Sequence, residues 1–233
     1  MEIIKLKNFE EVSKKAFSLI SAKIISKPDC VLGLATGSSP IKVYELFIKA
    51  YKDNILDFSN VKTINLDEYY KISPNEKQSY YYFMMDKLFN HINIDKNNIN
   101  IPNGNTDNID EECKRYEKKL EFLGYADLQL LGIGHNGHIG FNEPSEFFDN
   151  DVHLTNLSES TINANSRLFN SVDEVPRQAI TMGIGSIMRS KKIILIANSD
   201  KSEIIKKISI GKIDPQIPAS ILQLHPDVTI ITC

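Results

Sequence analysis

Long apolar runs are missing from this 233-residue chain. Its longest aliphatic stretches, VLGLA and IILIA, have the length of strands, far short of the roughly 20 apolar residues a membrane-spanning helix needs. The opening stretch MEIIKLKNFEEVSKK has no apolar signal core. A positive excess is missing as well. Lys and Arg number 27 against 30 Asp and Glu, a formal charge of -3, so no global basic field points to nucleic acid. Cysteine is sparse: Cys30, Cys113 and Cys233 are odd in number, lie far apart and form no CxxC or Cys/His zinc spacing. That pattern reads as reduced thiols. These absences leave nucleic-acid binding, membrane insertion and targeting without support and predict a cytoplasmic protein.

What is present is an alternation of short apolar runs and helical periodicities. Residues 3–6 read as a strand. Asn8 and Glu11 start a helix in capping-box fashion, and Val12, Ala16, Leu19, Ile20 and Ile24 continue it. CVLGLA (30–35) is a buried strand, and TGSSP follows it, with Ser39 expected as N-cap and Pro40 at the first helical position. Further strands are expected at 61–66, 127–133, 178–182, 191–197 and 227–231. Helices are expected at 79–90, at 109–123 with Gly124 closing it, and around 199–208. The Asn/Pro-rich stretch 93–108 reads as a long loop. Strand and helix alternating without a linker or repeat predict one domain over 1–233, an α/β fold with a parallel sheet covered on both faces. In such folds ligands bind outside the carboxyl ends of the strands. TGSSP, DEYY and GIGHNGHIGFNEP all fall there.

Each of these segments has a plain structural meaning and a chemical one. TGSSP, residues Thr36, Gly37, Ser38, Ser39 and Pro40, is an ordinary helix start. It is equally a hydroxyl-rich turn whose free N–H groups favour a phosphate. No GK[ST] follows, so a small phosphate monoester suits it better than a nucleoside triphosphate. Arg167 and Lys201 are candidate cations for that anion, although either alone reads as a solvated charge. Asp67, directly after an apolar strand, is a turn residue or a general base. Gly132, Gly134 and Gly137 satisfy G-x-G-x-x-G, but FNEP interrupts before a helix begins, which speaks against a dinucleotide site. His135 reads as solvated. His138 lies between glycines with Glu143 in reach, and a carboxylate accepting one ring N–H raises basicity at the other nitrogen. The two histidines match no zinc spacing. Tyr69 and Tyr70 read as packing residues.

Taken together, ATGSSP, NLDEYY, GIGHNGHIGFNEP, NANSR and NSDK resemble, in order and spacing, the glucosamine-6-phosphate deaminases. The resemblance covers essentially the whole chain, and GHIGFNEP is its most specific string. It implies a three-layer α/β sandwich with a modified Rossmann-like, mostly parallel sheet. It also implies conversion of glucosamine 6-phosphate and water to fructose 6-phosphate and ammonia without a cofactor or metal, a small sugar phosphate as partner, and a monomer or small homo-oligomer. By the same resemblance Asp67 moves a proton from C2 to C1, while His138, assisted by Glu143, opens the sugar ring. Thr36, Gly37, Ser38, Ser39, Arg167 and Lys201 form the phosphate grip. Asn136 stands where many members carry Asp, so the charge of the ring-opening relay rests on Glu143, with Asn136 left to position by hydrogen bonding. His153 and Thr155 replace the basic residues that allosteric members carry after FNEP, and no activation by N-acetylglucosamine 6-phosphate is expected. A 6-phosphogluconolactonase, which shares the architecture, and a non-catalytic sugar-phosphate sensor are the competing readings. The segment after FNEP, around 145–160, is the expected source of any lid over the sugar.

Overall fold

A computed structural model describes residues 1–166, 169 and 171–233. The elements follow in chain order as β1 (Glu2–Lys5), α1 (Phe9–Ser26), β2 (Val31–Leu34), α2 (Ile41–Lys52), β3 (Lys62–Asn65), β4 (Asp67–Tyr69), α3 (Tyr80–Lys87) and β5 (Ile99–Asn100). Then come α4 (Ile109–Leu123), β6 (Leu128–Leu131), β7 (His153–Asn156), α5 (Glu159–Asn165), β8 (Gln178–Thr181), α6 (Ile184–Met188), β9 (Ile193–Ala197), α7 (Ser202–Ile210) and β10 (Val228–Thr232). No described helix is long and apolar enough to cross a membrane.

Alternating side chains build the layers. In β2, β6, β9 and β10, Leu32, Leu34, Leu128, Leu130, Ile194, Ile196 and Ile231 face a core shared with α1, α2 and α3. Their neighbours Val31, Leu131, Ile193, Leu195, Val228 and Ile230 face a second core with α4, α6 and α7. Strands buried on both faces read as continuous apolar runs, which is why VLGL and IILIA were legible as strands. Among the described residues the strands form a seven-stranded sheet, ordered β1-β10-β9-β6-β2-β3-β5, with every pairing parallel. From β2 the chain first moves outward to β3 and β5, then returns through α4 to β6 on the other side of β2. The loops after β2 and β6 therefore part at a reversal of strand order, where α/β sheets open a crevice.

Four expectations need correction. Residues 178–181 do not join the parallel sheet. As β8 they pair antiparallel with β4 and β7 in a separate three-stranded sheet. DEYY is therefore a strand start rather than a loop, with Asp67 opposite Thr181. The stretch 93–108 is not all loop, because Ile99–Asn100 pairs with β3 at the sheet edge. Pro40, not Ser39, occupies the cap position of α2, with no side-chain cap. The Asn8 cap is as read: its side chain accepts the Glu11 N–H at 2.9 Å. Gly124 ends α4 in the left-handed conformation, φ 72°.

The register between β2 and β6 is anchored at its far end. Buried Asp127 accepts the Val31 N–H at 2.9 Å and both Lys27 and Lys191 at 2.8 and 2.7 Å. Burial opposes its ionisation, but the two lysines and the peptide N–H outweigh this and hold its pKa at about 2. A depressed carboxyl stabilises the fold above its unfolded pKa, and that stabilisation is lost as pH falls toward the folded value. Asp127→Asn is expected to lower Tm at pH 7 by about 3–6 °C, from a loss of roughly 1–2 kcal/mol. The gap should close as pH approaches 2, which thermal denaturation across pH will check.

Candidate active site

Four chain segments converge at the carboxyl rim of the sheet around one cavity of about 710 Å³. The first is the turn after β2. Gly37 takes φ 83°, a left-handed conformation that glycine adopts without strain. α2 then begins with no side-chain cap, so its first N–H groups have no side-chain acceptor. The hydroxyls of Ser38 and Ser39 bond to no other described residue, whereas Thr36 pairs with the Tyr80 phenol. Thr36, Gly37, Ser38 and Ser39 all line the cavity. A helix N-terminus with unengaged donors is a ready anion site.

Lys201 enters from the start of α7, its side chain 16% exposed. Burial lowers its proton affinity, and Asp200 at 3.6 Å partly restores it. His135 also lines the cavity, with Nε2 3.4 Å from Asp200, and is largely solvated as read. Arg167 lies outside the described residues.

Asp67 is the first residue of β4 and 6% exposed. Gly140, at φ 59°, lies against it: a Cβ there would come within 3.4 Å of Asp67 Oδ2 and 2.9 Å of Thr181 Oγ1. Glycine thus lets the histidine loop press against the carboxyl. No described residue donates a hydrogen bond to Asp67. Burial, and secondarily the neighbouring Glu68 charge, push its pKa up to about 8.

The loop after β6 carries His138. Its ring lies over Gly134, where a Cβ would fall 2.3–2.5 Å from three ring atoms. The glycines of this loop are thus seats for side chains, not a dinucleotide fingerprint. His138 Nδ1 is buried and 3.5 Å from Glu143 Oε2, an electrostatic contact just beyond hydrogen-bond geometry. Asn136 bridges the two residues: its Nδ2 donates to Glu143 Oε2 at 2.8 Å, and its Oδ1 accepts the backbone N–H of His138 at 3.2 Å. Thr161 of α5 donates to the other carboxylate oxygen. Burial raises the Glu143 pKa, but His138, Thr161 and Asn136 outweigh it and bring it to about 2. Neither Asn136 nor Glu143 lines the cavity; they stand behind the imidazole, which does.

The structure thus brings Asp67, His138, the TGSSP turn and Lys201 to one cavity. It adds residues that sequence reasoning missed. Tyr80 opens α3 and lines the cavity, and Ser160, Thr161, Ala164 and Asn165 of α5 form a wall. That wall lies mainly downstream of 145–160, a stretch that instead supplies β7. Nothing in SYYYF marks one tyrosine as inward-facing, and Thr161 reads as a first-turn helix residue. Among the described residues no three His, Cys, Asp or Glu side chains cluster as metal ligands. The arrangement can hold a small anion at one end and exchange protons at the other.

An α/β fold with an anion turn and acid–base groups at one rim defines a class, and comparison with known proteins narrows it. The model of the family described as Glucosamine-6-phosphate isomerases/6-phosphogluconolactonase matches residues 7–231. The glucosamine-6-phosphate deaminase of Clostridium botulinum (strain Langeland / NCTC 10281 / Type F) is 60% identical over 232 residues, 99% of this chain and 95% of that protein. The deaminase of Clostridium novyi (strain NT) is 56% identical over 99% of this chain and 96% of its own. A solved monomeric glucosamine-6-phosphate deaminase superposes with TM-score 0.97 at 44% identity, covering 100% of this chain and 97% of that one. The 6-phosphogluconolactonase of Thermotoga maritima shares the fold at TM-score 0.78, with 19% identity over 99% and 98% of the chains. The chain belongs to the glucosamine-6-phosphate isomerase/6-phosphogluconolactonase family.

A carboxyl with a raised folded pKa contributes stability below its unfolded pKa and loses it as pH rises through the folded value. Asp67→Asn is therefore expected to melt above the wild type by about 3 °C or more at pH 9, corresponding to at least ~1 kcal/mol. The difference should vanish near pH 4. Thermal denaturation at several pH values checks it, and a variant less stable than wild type at pH 9 would contradict the assigned burial cost.

Proposed function

We propose that the chain converts glucosamine 6-phosphate and water to fructose 6-phosphate and ammonia, an aldose–ketose isomerisation coupled to deamination in a reducing cytoplasm. The observation that carries this reading is that a donor-free carboxyl, Asp67, and an imidazole, His138, share a cavity with an uncapped helix start and Lys201. The identities to named deaminases over nearly the full chain support it.

In this reading the phosphate lies on Gly37, Ser38 and Ser39, beside Thr36, with Lys201 and Arg167 supplying charge. It does not react; its binding energy holds the sugar's C1–C2 end in place. His138 accepts the proton of the anomeric O1 and returns one to O5, opening the ring. Glu143 stabilises the transient imidazolium, and Asn136 fixes both partners. In the open chain the carbonyl and the ammonium acidify C2–H. As the substrate binds, its ammonium lowers the Asp67 proton affinity and that proton leaves to solvent, since a cation beside a carboxyl favours its ionised form. Asp67 then removes the C2 proton, and a proton lost from the ammonium neutralises the developing enolate at O1. Asp67 delivers its proton to C1. The resulting C2 iminium adds water and expels ammonia, leaving the ketone. A base of raised pKa suits a carbon acid, because proton transfer is most effective when the two affinities approach each other.

A lactonase would need no base on the Asp67 side of the cavity, and the likeness to lactonase structures below 25% identity shows the fold alone. The test is ammonia release from glucosamine 6-phosphate, run against unphosphorylated glucosamine and against 6-phosphogluconolactone. The phosphorylated amino sugar is expected to be preferred by at least ~10²-fold in kcat/KM, a scale set by losing the anion grip. Hydrolysis of the lactone with no ammonia from the amino sugar would reject the proposal. Asp67→Asn is expected to lower kcat at least ~10²-fold while the substrate still binds. Direct titration of substrate into the variant, alongside kinetics, checks both halves of that expectation.

A further inference from the structure

Asp67 and Glu68 are consecutive on β4, so their side chains leave opposite faces of the strand. Asp67 faces the cavity. Glu68, 2% exposed, faces away from it and meets α3. Its Oε1 accepts the N–H of Tyr80 at 2.8 Å and that of Tyr69 at 2.9 Å, while Oε2 accepts the N–H of Tyr81 at 2.9 Å. No Lys, Arg or His among the described residues pairs with it. The carboxylate is therefore held by three peptide dipoles and no cation. Gly104 closes the compartment, since a Cβ there would fall 2.9 Å from Glu68 Cγ and 2.1 Å from the Tyr69 carbonyl oxygen.

A helix start does not demand this arrangement. Ser79 already caps α3, its hydroxyl accepting the Tyr82 N–H at 3.0 Å. A second buried carboxyl beside the first costs desolvation that a neutral residue would avoid. What the arrangement does is join two parts of the site. Tyr80, whose N–H Glu68 holds, lines the cavity, and its phenol pairs with Thr36 of the anion turn and with Tyr69. Glu68 thereby ties the strand carrying Asp67 to the helix that reaches the phosphate end.

We propose that Glu68 is a positioning residue for the C2–C1 proton transfer: it touches no reacting atom, it fixes Asp67 and Tyr80 in one frame, and it keeps a negative charge behind the base. The inference rests on the assignment of Asp67 as that base. Behind the two carboxyls the ionisable groups are the phenols Tyr69 on β4, Tyr80 on α3 and Tyr116 on α4, while across the cavity Asp67 shares its walls with His138 and His135 of the histidine loop and with Asp200 and Lys201 before α7. Gly140, Asn142 and Thr181, on the cavity side, carry no charge. Burial raises both carboxyls, Glu68 to about 7 against the pull of its three N–H donors and Asp67 to about 8. The donors favour the charge on Glu68, so in the free protein the proton belongs on Asp67 until the substrate ammonium displaces it.

The test is Glu68→Gln, which keeps the chain length and one acceptor for Tyr69 and Tyr80. Removing the fixed charge weakens the base, so the acid limb of kcat/KM for glucosamine 6-phosphate is expected to move at least ~0.5 pH unit lower. The plateau kcat should fall about tenfold, with KM changing less than about threefold. A merely structural role would scale activity equally at all pH values and leave the limb in place, and that result overturns the proposal. Should the variant fail to fold, carbon-13 titration of both side-chain carboxyls in the wild type decides instead. Asp67 is expected to gain its proton at higher pH than Glu68; the reverse order overturns the proposal. That titration requires no turnover, so its failure is distinct from an absence of ammonia release, which would remove the deaminase reading itself.

Discussion

Burying a carboxylic acid without a donor to hold its charge is unfavourable, and the site is organised around one such group. Asp67 lies at a strand start, almost fully buried, pressed by Gly140 and backed by the Glu68 charge. A fold selected only for stability would place a neutral or apolar residue there. The retained strain on ionisation is what gives the group a proton affinity far above that of an ordinary aspartate. Strongly perturbed carboxyls in clefts are candidates for chemistry for this reason. Glu143 shows the opposite treatment a short distance along the same rim. It is partly buried, but His138, Thr161 and Asn136 engage it, and it remains charged. Two carboxyls in one site are thus driven apart, one toward accepting a proton and one toward holding a cation.

The sheet makes this possible through topology rather than through any single contact. Parallel strands discharge their following loops at the same rim, and the reversal of order between β2 and β6 parts the anion turn from the histidine loop. The two loops still approach closely, a Cβ at Gly132 falling 3.9 Å from Ser39 Oγ. The small antiparallel sheet adds what a plain doubly wound fold lacks. By pairing β4 with β8 it fixes Asp67 opposite Thr181, whose hydroxyl accepts the Phe141 N–H at 3.1 Å and so anchors the histidine loop.

Much of this was legible in the residues. The buried strands announced themselves as apolar runs, α4 was readable to its last residue from periodicity and Gly124, and the rim address of three motifs followed from strand–loop order alone. The separate sheet was not legible, because QAIT and DEY are short and a strand of three or four residues carries too little periodicity to reveal its partner. The moved cap at Pro40 turns on one residue of backbone geometry, which sequence does not specify. Tyr80, Thr161 and Glu68 escaped notice for a different reason. Their meaning lies in contacts made across long stretches of sequence, and locally they look like helix-start or turn residues.

In the proposed reaction one carboxyl, that of Asp67, carries one hydrogen from C2 to C1 inside the cavity at the rim of the sheet. The most direct measurement is turnover of glucosamine 6-phosphate labelled with deuterium at C2, with the fructose 6-phosphate read by NMR. A primary isotope effect on kcat/KM is expected, with product retaining part of its deuterium at C1, since a single buried acid exchanges incompletely with solvent. Ammonia release with no isotope effect and no label ever found at C1 would contradict it.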